Sequence, residues 1–214
     1  MKGHYPGHSM AKVFMTRTLP LLAFLLLYST LTPAQDSPGR FEIGGSLTAI
    51  DNPPFFGSLG PSLEGDVNFG SHLALDSALT WLPSSRGNTV LGLFGVKAGG
   101  RTEHFGLFAK VRPGFVTSFH SLRESTINVI SNQNAVFSQR FDPLTERALD
   151  LGGVVEYYPA KHWTMRWDLG ETLLFQEASN KFSIVNGGTT TTTFFPPARN
   201  TSQFQFSTGV HYRF

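Results

Sequence analysis

The chain ends in a strict two-residue alternation. Phe204, Phe206, Thr208, Val210, Tyr212 and Phe214 share one face, and Gln203, Gln205, Ser207, Gly209, His211 and Arg213 share the other. Period two is the mark of a β-strand between two different environments. The apolar face is aromatic at both ends with aliphatic positions between, as in a strand crossing a bilayer with its rings at headgroup level.

Seven earlier runs repeat the pattern. In Arg40–Asp51, Phe41, Ile43, Leu47 and Ala49 oppose Glu42, Gly44, Ser46 and Thr48. In Leu59–Gly70, Leu63, Val67 and Phe69 oppose Glu64, Asp66 and Asn68. Leu73–Leu82 sets Leu75, Leu79 and Trp81 against Asp76, Ala78 and Thr80, and Thr89–Gly99 sets Val90, Phe94 and Val96 against Leu91, Leu93 and Lys97. His104–Phe119 sets Phe105, Leu107, Val111 and Phe115 against Phe108, Lys110 and Arg112. Ala148–Tyr158 sets Leu149, Leu151, Val155 and Tyr157 against Asp150, Val154 and Glu156. His162–Phe175 sets Trp163, Met165, Trp167, Leu169 and Leu173 against Thr164, Arg166 and Asp168.

The connections predicted between these runs alternate in length. Gly70–His72, Gly99–Glu103 and Pro159–Lys161 are short, whereas Asp51–Ser58, Pro83–Asn88, His120–Arg147 and Gln176–Thr201 are longer. Short turns on one side and long loops on the other are expected of a transmembrane barrel. No run after Leu31 is long and apolar enough for a spanning helix, so a membrane form must be a closed barrel. The expectation is all-β: an eight-stranded antiparallel up-and-down barrel. The long stretches contain hairpin signals of their own, Asn132-Gln133-Asn134 and Asn186-Gly187-Gly188, so ten strands is the alternative.

The start of the chain changes the address, not the fold. Lys2, Lys12 and Arg17 precede the apolar run Leu19–Leu31, and Thr32-Pro33-Ala34 supplies small residues for a peptidase. Residues 1–34 are expected to be a secretory signal cleaved after Ala34, with Met10 and Met15 as alternative starts, and 35–214 a single domain. The sequence has no cysteine, so the exported part relies on packing and backbone pairing, without disulfides or thiolate metal sites. Charged residues are 15% of the chain and the net charge is +2, with no basic cluster to suggest a nucleic-acid partner.

Parity collects the charges on one face. Glu42, Glu64, Asp66, Asp76, Asp150, Glu156 and Asp168 point inward with Lys97, Lys110, Arg112, Arg166 and Arg213, and His211 shares their parity. An eight-stranded barrel is just wide enough for side chains to fill it. These charges are therefore expected to pair into a plug, the alternative being a narrow path for ions or small solutes. No metal-ligand spacing appears among the histidines, and no phosphate-binding loop or cofactor motif is present. His120, Ser121 and Glu124 contain the residue types of a hydrolase, but adjacent strand positions point to opposite faces and do not share a proton. No catalytic, cofactor or metal residues are expected.

The terminal alternation closing on Phe214 resembles the C-terminal signal of bacterial outer-membrane barrels. By that resemblance the assembly machinery reads Phe204, Phe206, Val210, Tyr212 and Phe214. The signal segment, the two-faced strands and the loop alternation together resemble the small outer-membrane β-barrels of the OmpA/OmpX type. So do Phe94–Phe115 and Leu149–Pro159. The chain differs from full-length members in having no peptidoglycan-binding domain after the barrel. The resemblance implies residence in the bacterial outer membrane with its lipid, and a structural or surface-interaction role. A partner is expected at loops 120–147 and 176–201. It leaves open a narrow channel, a lipid A hydrolase and a soluble lipocalin-like binder.

Overall fold

The computed structural model describes residues 40–52, 55–84, 87–131, 134–176, 181–186, 189–194 and 199–214. The expected signal segment lies outside them. Among the described residues all regular structure is β. The strands are β1 (Phe41–Asn52), β2 (Phe55–Asn68), β3 (Leu73–Leu82), β4 (Thr89–Arg101), β5 (Phe105–Ser131), β6 (Asn134–Ala160), β7 (Trp163–Gln176), β8 (Lys181–Asn186), β9 (Thr189–Phe194) and β10 (Arg199–Arg213).

Eight of these strands form a ring in the order β1-β2-β3-β4-β5-β6-β7-β10. Every neighbour is antiparallel, and the ring closes where β10 pairs with β1, Glu42 opposite Arg213 and Ile50 opposite Gln205. Closure removes both sheet edges, so each ring strand pairs with a neighbour on either side. The remaining two strands form a hairpin outside the ring, β8 running parallel to β5. The expected count of eight therefore holds for the barrel, and the extra pair stands beyond it.

We call the end that holds Phe41 and Arg213 the base, and the opposite end the rim. At the base the connections are tight: β2 passes to β3 through 69–72, β4 to β5 through 102–104, and β6 to β7 through 161–162. Gly70 takes φ 116° there, a left-handed conformation that a Cβ would disfavour.

Three expectations need correction at the rim and base. Asp51–Ser58 is not a long loop: Asn52 pairs directly with Phe55. Most of His120–Arg147 is not loop either, because β5 and β6 are 27 residues each and continue pairing from Phe115–Arg147 up to Ser131–Asn134. Polar side chains there hid the strand pattern, since neither face of this extension is buried in a core. At the base, Gly99–Glu103 is not all turn: β4 runs on to Arg101.

The outer wall is apolar. Ile43, Leu47, Leu63, Leu79, Val96, Leu107, Leu169 and Val210 all stand exposed on it. Aromatic rings mark the base end of this band: Phe105 packs on Tyr157 at 5.1 Å, and Tyr212 sits between Trp163 at 5.3 Å and Phe214 at 5.0 Å. Trp81, Phe115, Phe175 and Phe204 stand exposed toward the rim. Glu171 breaks the rule. It shares the outward parity of Leu169 and Leu173, opposite Leu151 on one side and Phe204 on the other. Its Oε2 has no hydrogen-bond partner.

Candidate functional site

Alternation drives one set of side chains into the barrel, where they lie in layers. Nearest the rim the interior is apolar: Ile50, Ala78, Leu82, Leu91, Leu93, Ala148 and Leu174 form one buried cluster, with Val116 against it. Above it opens a vestibule of about 140 Å³ lined in part by Ser58, Thr89, Ser118 and Glu146. Beneath it runs a row of hydroxyls across four strands. Ser207 and Thr48 are 3.0 Å apart, Thr48 and Ser62 2.6 Å, and Ser62 and Thr80 2.7 Å.

Below the hydroxyls the charges meet. Arg166 on β7 is the hub: its guanidinium reaches Asp76 on β3 at 2.6 Å, Asp66 on β2 at 3.0 Å and Asp168 on its own strand at 3.0 Å. Arg112 on β5 binds Asp150 on β6 at 2.7 Å and Asp76 at 3.3 Å. Lys110 lies 3.1 Å from Asp150 and 3.3 Å from Asp168. Lys97 on β4 binds Asp66 at 2.9 Å and also Glu156. Each of these groups is buried. An isolated charge in such a place would be prohibitively costly, so pairing is a condition of the fold.

Two residues at the base escaped the sequence analysis. Arg101, buried, donates to Asn68 at 2.9 Å and lies 3.2 Å from Glu42 and 3.3 Å from Glu156. Tyr158, also buried, donates to Glu156 at 2.6 Å and carries the Arg213 guanidinium over its ring at 4.5 Å. The parity of β4 extended by two residues would have found Arg101; the glycines before it looked like a turn. Arg213 itself, 3.1 Å from Glu42, is half-buried and closes the base. All eight ring strands thus contribute at least one member, with His211 on β10 lying 3.2 Å from Glu64.

The residues considered for hydrolase chemistry take other contacts. His120 stacks flat on Phe141 at 4.5 Å, and Glu124 faces Lys181 at 3.9 Å.

Past the rim, β5 and β6 leave the ring as a ribbon, and β8 and β9 widen it to four strands in the order β6-β5-β8-β9. Irregularities between Ser118 and Ser121 and between Leu122 and Glu124 mark the departure. Bulges at a barrel rim bend the strand this way. From Phe119 to Ser131 the ribbon runs roughly 40 Å at about 3.3 Å per residue. Register places Ile127, Phe137 and Ile184 side by side on one face, with Phe182 and Phe141 on the same side. Phe137 is 58% exposed. Glu124, Arg140 and Lys181 lie in register on the other face. Among the described residues two edges are open: β9 pairs only with β8, and β6 above Arg147 pairs only with β5.

No protein-family model matches this chain, and no curated protein sequence does. Solved structures do resemble it. The crystal structure of Neisserial surface protein A matches with a TM-score of 0.50 at 12% identity, covering 84% of this chain and 100% of the other. The N-terminal β-barrel domain of Pseudomonas aeruginosa OprF matches with a TM-score of 0.43 at 13% identity over 82% of this chain and 99% of that domain. Ail, the attachment invasion locus protein of Yersinia pestis, matches with a TM-score of 0.42 at 12% identity over 84% and 100%. At such identities the likeness to Neisserial surface protein A speaks to architecture: the eight-stranded fold is that of a small outer-membrane β-barrel.

Proposed function

We propose that this chain is an integral outer-membrane barrel that presents the β6-β5-β8-β9 sheet outside the cell as an interaction surface. The observation that carries this reading is the contrast between the two parts. The ring has an apolar wall and a filled interior, so it serves to hold position. The sheet beyond it has open edges and an exposed apolar face, features a protein ordinarily covers. With the base in the periplasm, the sheet projects into the medium. The partner class that fits is an extended polypeptide. It would add as a strand beside Thr189–Phe194 or beside the free edge of β6, its side chains meeting Phe137 and Ile184. The run Thr189–Thr193 is uncharged, so nothing on β9 repels an added strand. The Neisserial barrel that it resembles in fold is a surface protein, in keeping with this reading.

The same reading makes lipid the neighbour of the outer wall and assigns Phe204, Phe206, Val210, Tyr212 and Phe214 to recognition by the barrel-assembly machinery. Four of them lie on the outward face of β10, Phe214 follows directly after it, and all five are exposed. The test replaces 120–146 and 181–194 with short turns in cells. The barrel is expected to reach the outer membrane and keep heat-modifiable gel mobility while binding to surfaces or proteins outside the cell is lost. Unchanged binding, or a wild-type chain recovered in the soluble periplasmic fraction, overturns the proposal.

A further inference from the structure

The charge network leaves several carboxylate and imidazole atoms without hydrogen bonds, and three of the residues that carry them come within ligand reach of one another. Glu42 gives its Oε1 to Arg101, Arg213 and Asn68, and its Oε2 has no partner. Asp66 gives its Oδ2 to Lys97 and Arg166, and its Oδ1 has none. Neither ring nitrogen of His211 makes a hydrogen bond, although Nε2 lies 3.2 Å from Glu64. One ligand atom from each of Glu42, Asp66 and His211 can be chosen so that all lie within 4.8 Å of one another. Each of the three residues is at most 3% exposed. Buried polar atoms without partners are rare, and three residues that carry them within ligand reach of one another call for an occupant.

The placement of His211 is built in. Gly44 lies beside it, and a Cβ there would stand 2.4 Å from the imidazole Cγ and Cδ2. Only glycine at this position lets the ring lie against β1. The lumen also holds seven carboxylates against six Lys and Arg side chains, leaving one negative charge in excess.

We propose that Glu42, Asp66 and His211 bind a divalent transition-metal ion of the zinc class inside the base of the barrel. One imidazole with two carboxylate oxygens suits zinc; calcium and magnesium require more oxygen ligands. Ligand atoms about a bound zinc stand roughly 3.5 Å apart, so closing on the ion takes about an ångström of side-chain movement. Entry is from the base past Arg213, whose side chain is 12% exposed, and a water from that side would complete the coordination. No spacing in the sequence shows this site, because its ligands come from β1, β2 and β10.

The test uses the full chain, extracted from membranes in detergent, treated with EDTA and titrated with zinc chloride by calorimetry. One ion per chain is expected, with no heat from magnesium chloride. His211→Phe fills the same space against Gly44 without a ligand nitrogen and should weaken binding at least 100-fold. A combined His72→Gln, His104→Gln, His162→Gln variant removes the exposed histidines of the base and should bind as before. Should His211→Phe fail to fold, cobalt added to that triple variant decides: a visible d–d band displaced by zinc supports the site. No stoichiometric binding, binding unchanged in His211→Phe, or binding lost in the triple variant overturns the proposal and leaves a water as the occupant.

Discussion

Arg166 and Asp76 face each other across the full width of the barrel, 2.6 Å apart at the guanidinium. Their strands, β7 and β3, are four places apart in the ring whichever way it is traversed. The contact is thus a strut through the centre, and Asp66 and Asp168 brace the same guanidinium. Arg166→Met leaves four carboxylates, Glu64, Asp66, Asp76 and Asp168, without it. The expected cost is about 3–5 kcal/mol, the range for breaking one member of a buried pair. Urea unfolding of the refolded protein in lipid vesicles measures it, and a loss below about 1 kcal/mol would show that the hub is dispensable.

The filled interior predicts electrical silence. Ion pairs occupy the lower half and Ile50, Leu82, Leu91, Leu93 and Leu174 the upper. An ion would have to cross an apolar layer after passing fixed charges. Planar-bilayer recordings of the purified chain should show no discrete conductance steps. Steps that survive repurification would mean that the interior rearranges.

Glu171 is expected to destabilise the barrel. It shares a face with Leu169 and Leu173, in the apolar outer wall, with no partner for Oε2. Glu171→Leu should raise the unfolding midpoint in vesicles. Leu169→Arg, one step deeper on the same face, should cost about 2–4 kcal/mol. If Glu171→Leu lowers stability instead, the carboxyl has a partner on the outside of the barrel.

Trp163 and Trp81 stand at opposite ends of the apolar wall, 49% exposed in each case. With each left as the sole tryptophan, brominated lipids should quench both, most strongly when bromine is placed shallowly on the acyl chain. Insensitivity to every bromine depth would put the wall in water.

Removing Phe214 should slow assembly without altering the finished fold. Its backbone N–H donates to Phe41 at 2.9 Å, and its ring lies on Tyr212, both contacts peripheral to the lumen. Pulse-chase appearance of the heat-modifiable form measures the rate. An unchanged rate would remove the terminal ring from the proposed assembly signal.

Much of the ring was legible because its two faces meet unlike surroundings. Glu64 and Asp66 between Leu63 and Val67 could be read as inward with no coordinates. Beyond the rim that contrast vanishes. Over the described residues of His120–Arg147 neither face is buried in a core, polar residues occur on either, and the sequence looks like a loop although it pairs as strand. Arg101 was lost to the glycines before it. Glu171 is a real exception to the alternation, so no pattern rule could have assigned it. Partner choice within the lumen, such as Arg101 with Glu42 and Arg166 with Asp76, depends on stagger between strands far apart in sequence.

Every strand of the cylinder holds one or more members of a single interlocked set of ions, from Glu42 on the first to Arg213 on the last. A sheet that has curled but not yet sealed must therefore carry stranded charge into hydrocarbon. Intermediates of that kind are penalised in proportion to the strands still missing. The chain is left with two tolerable conditions, outside hydrocarbon altogether or within it as a finished tube.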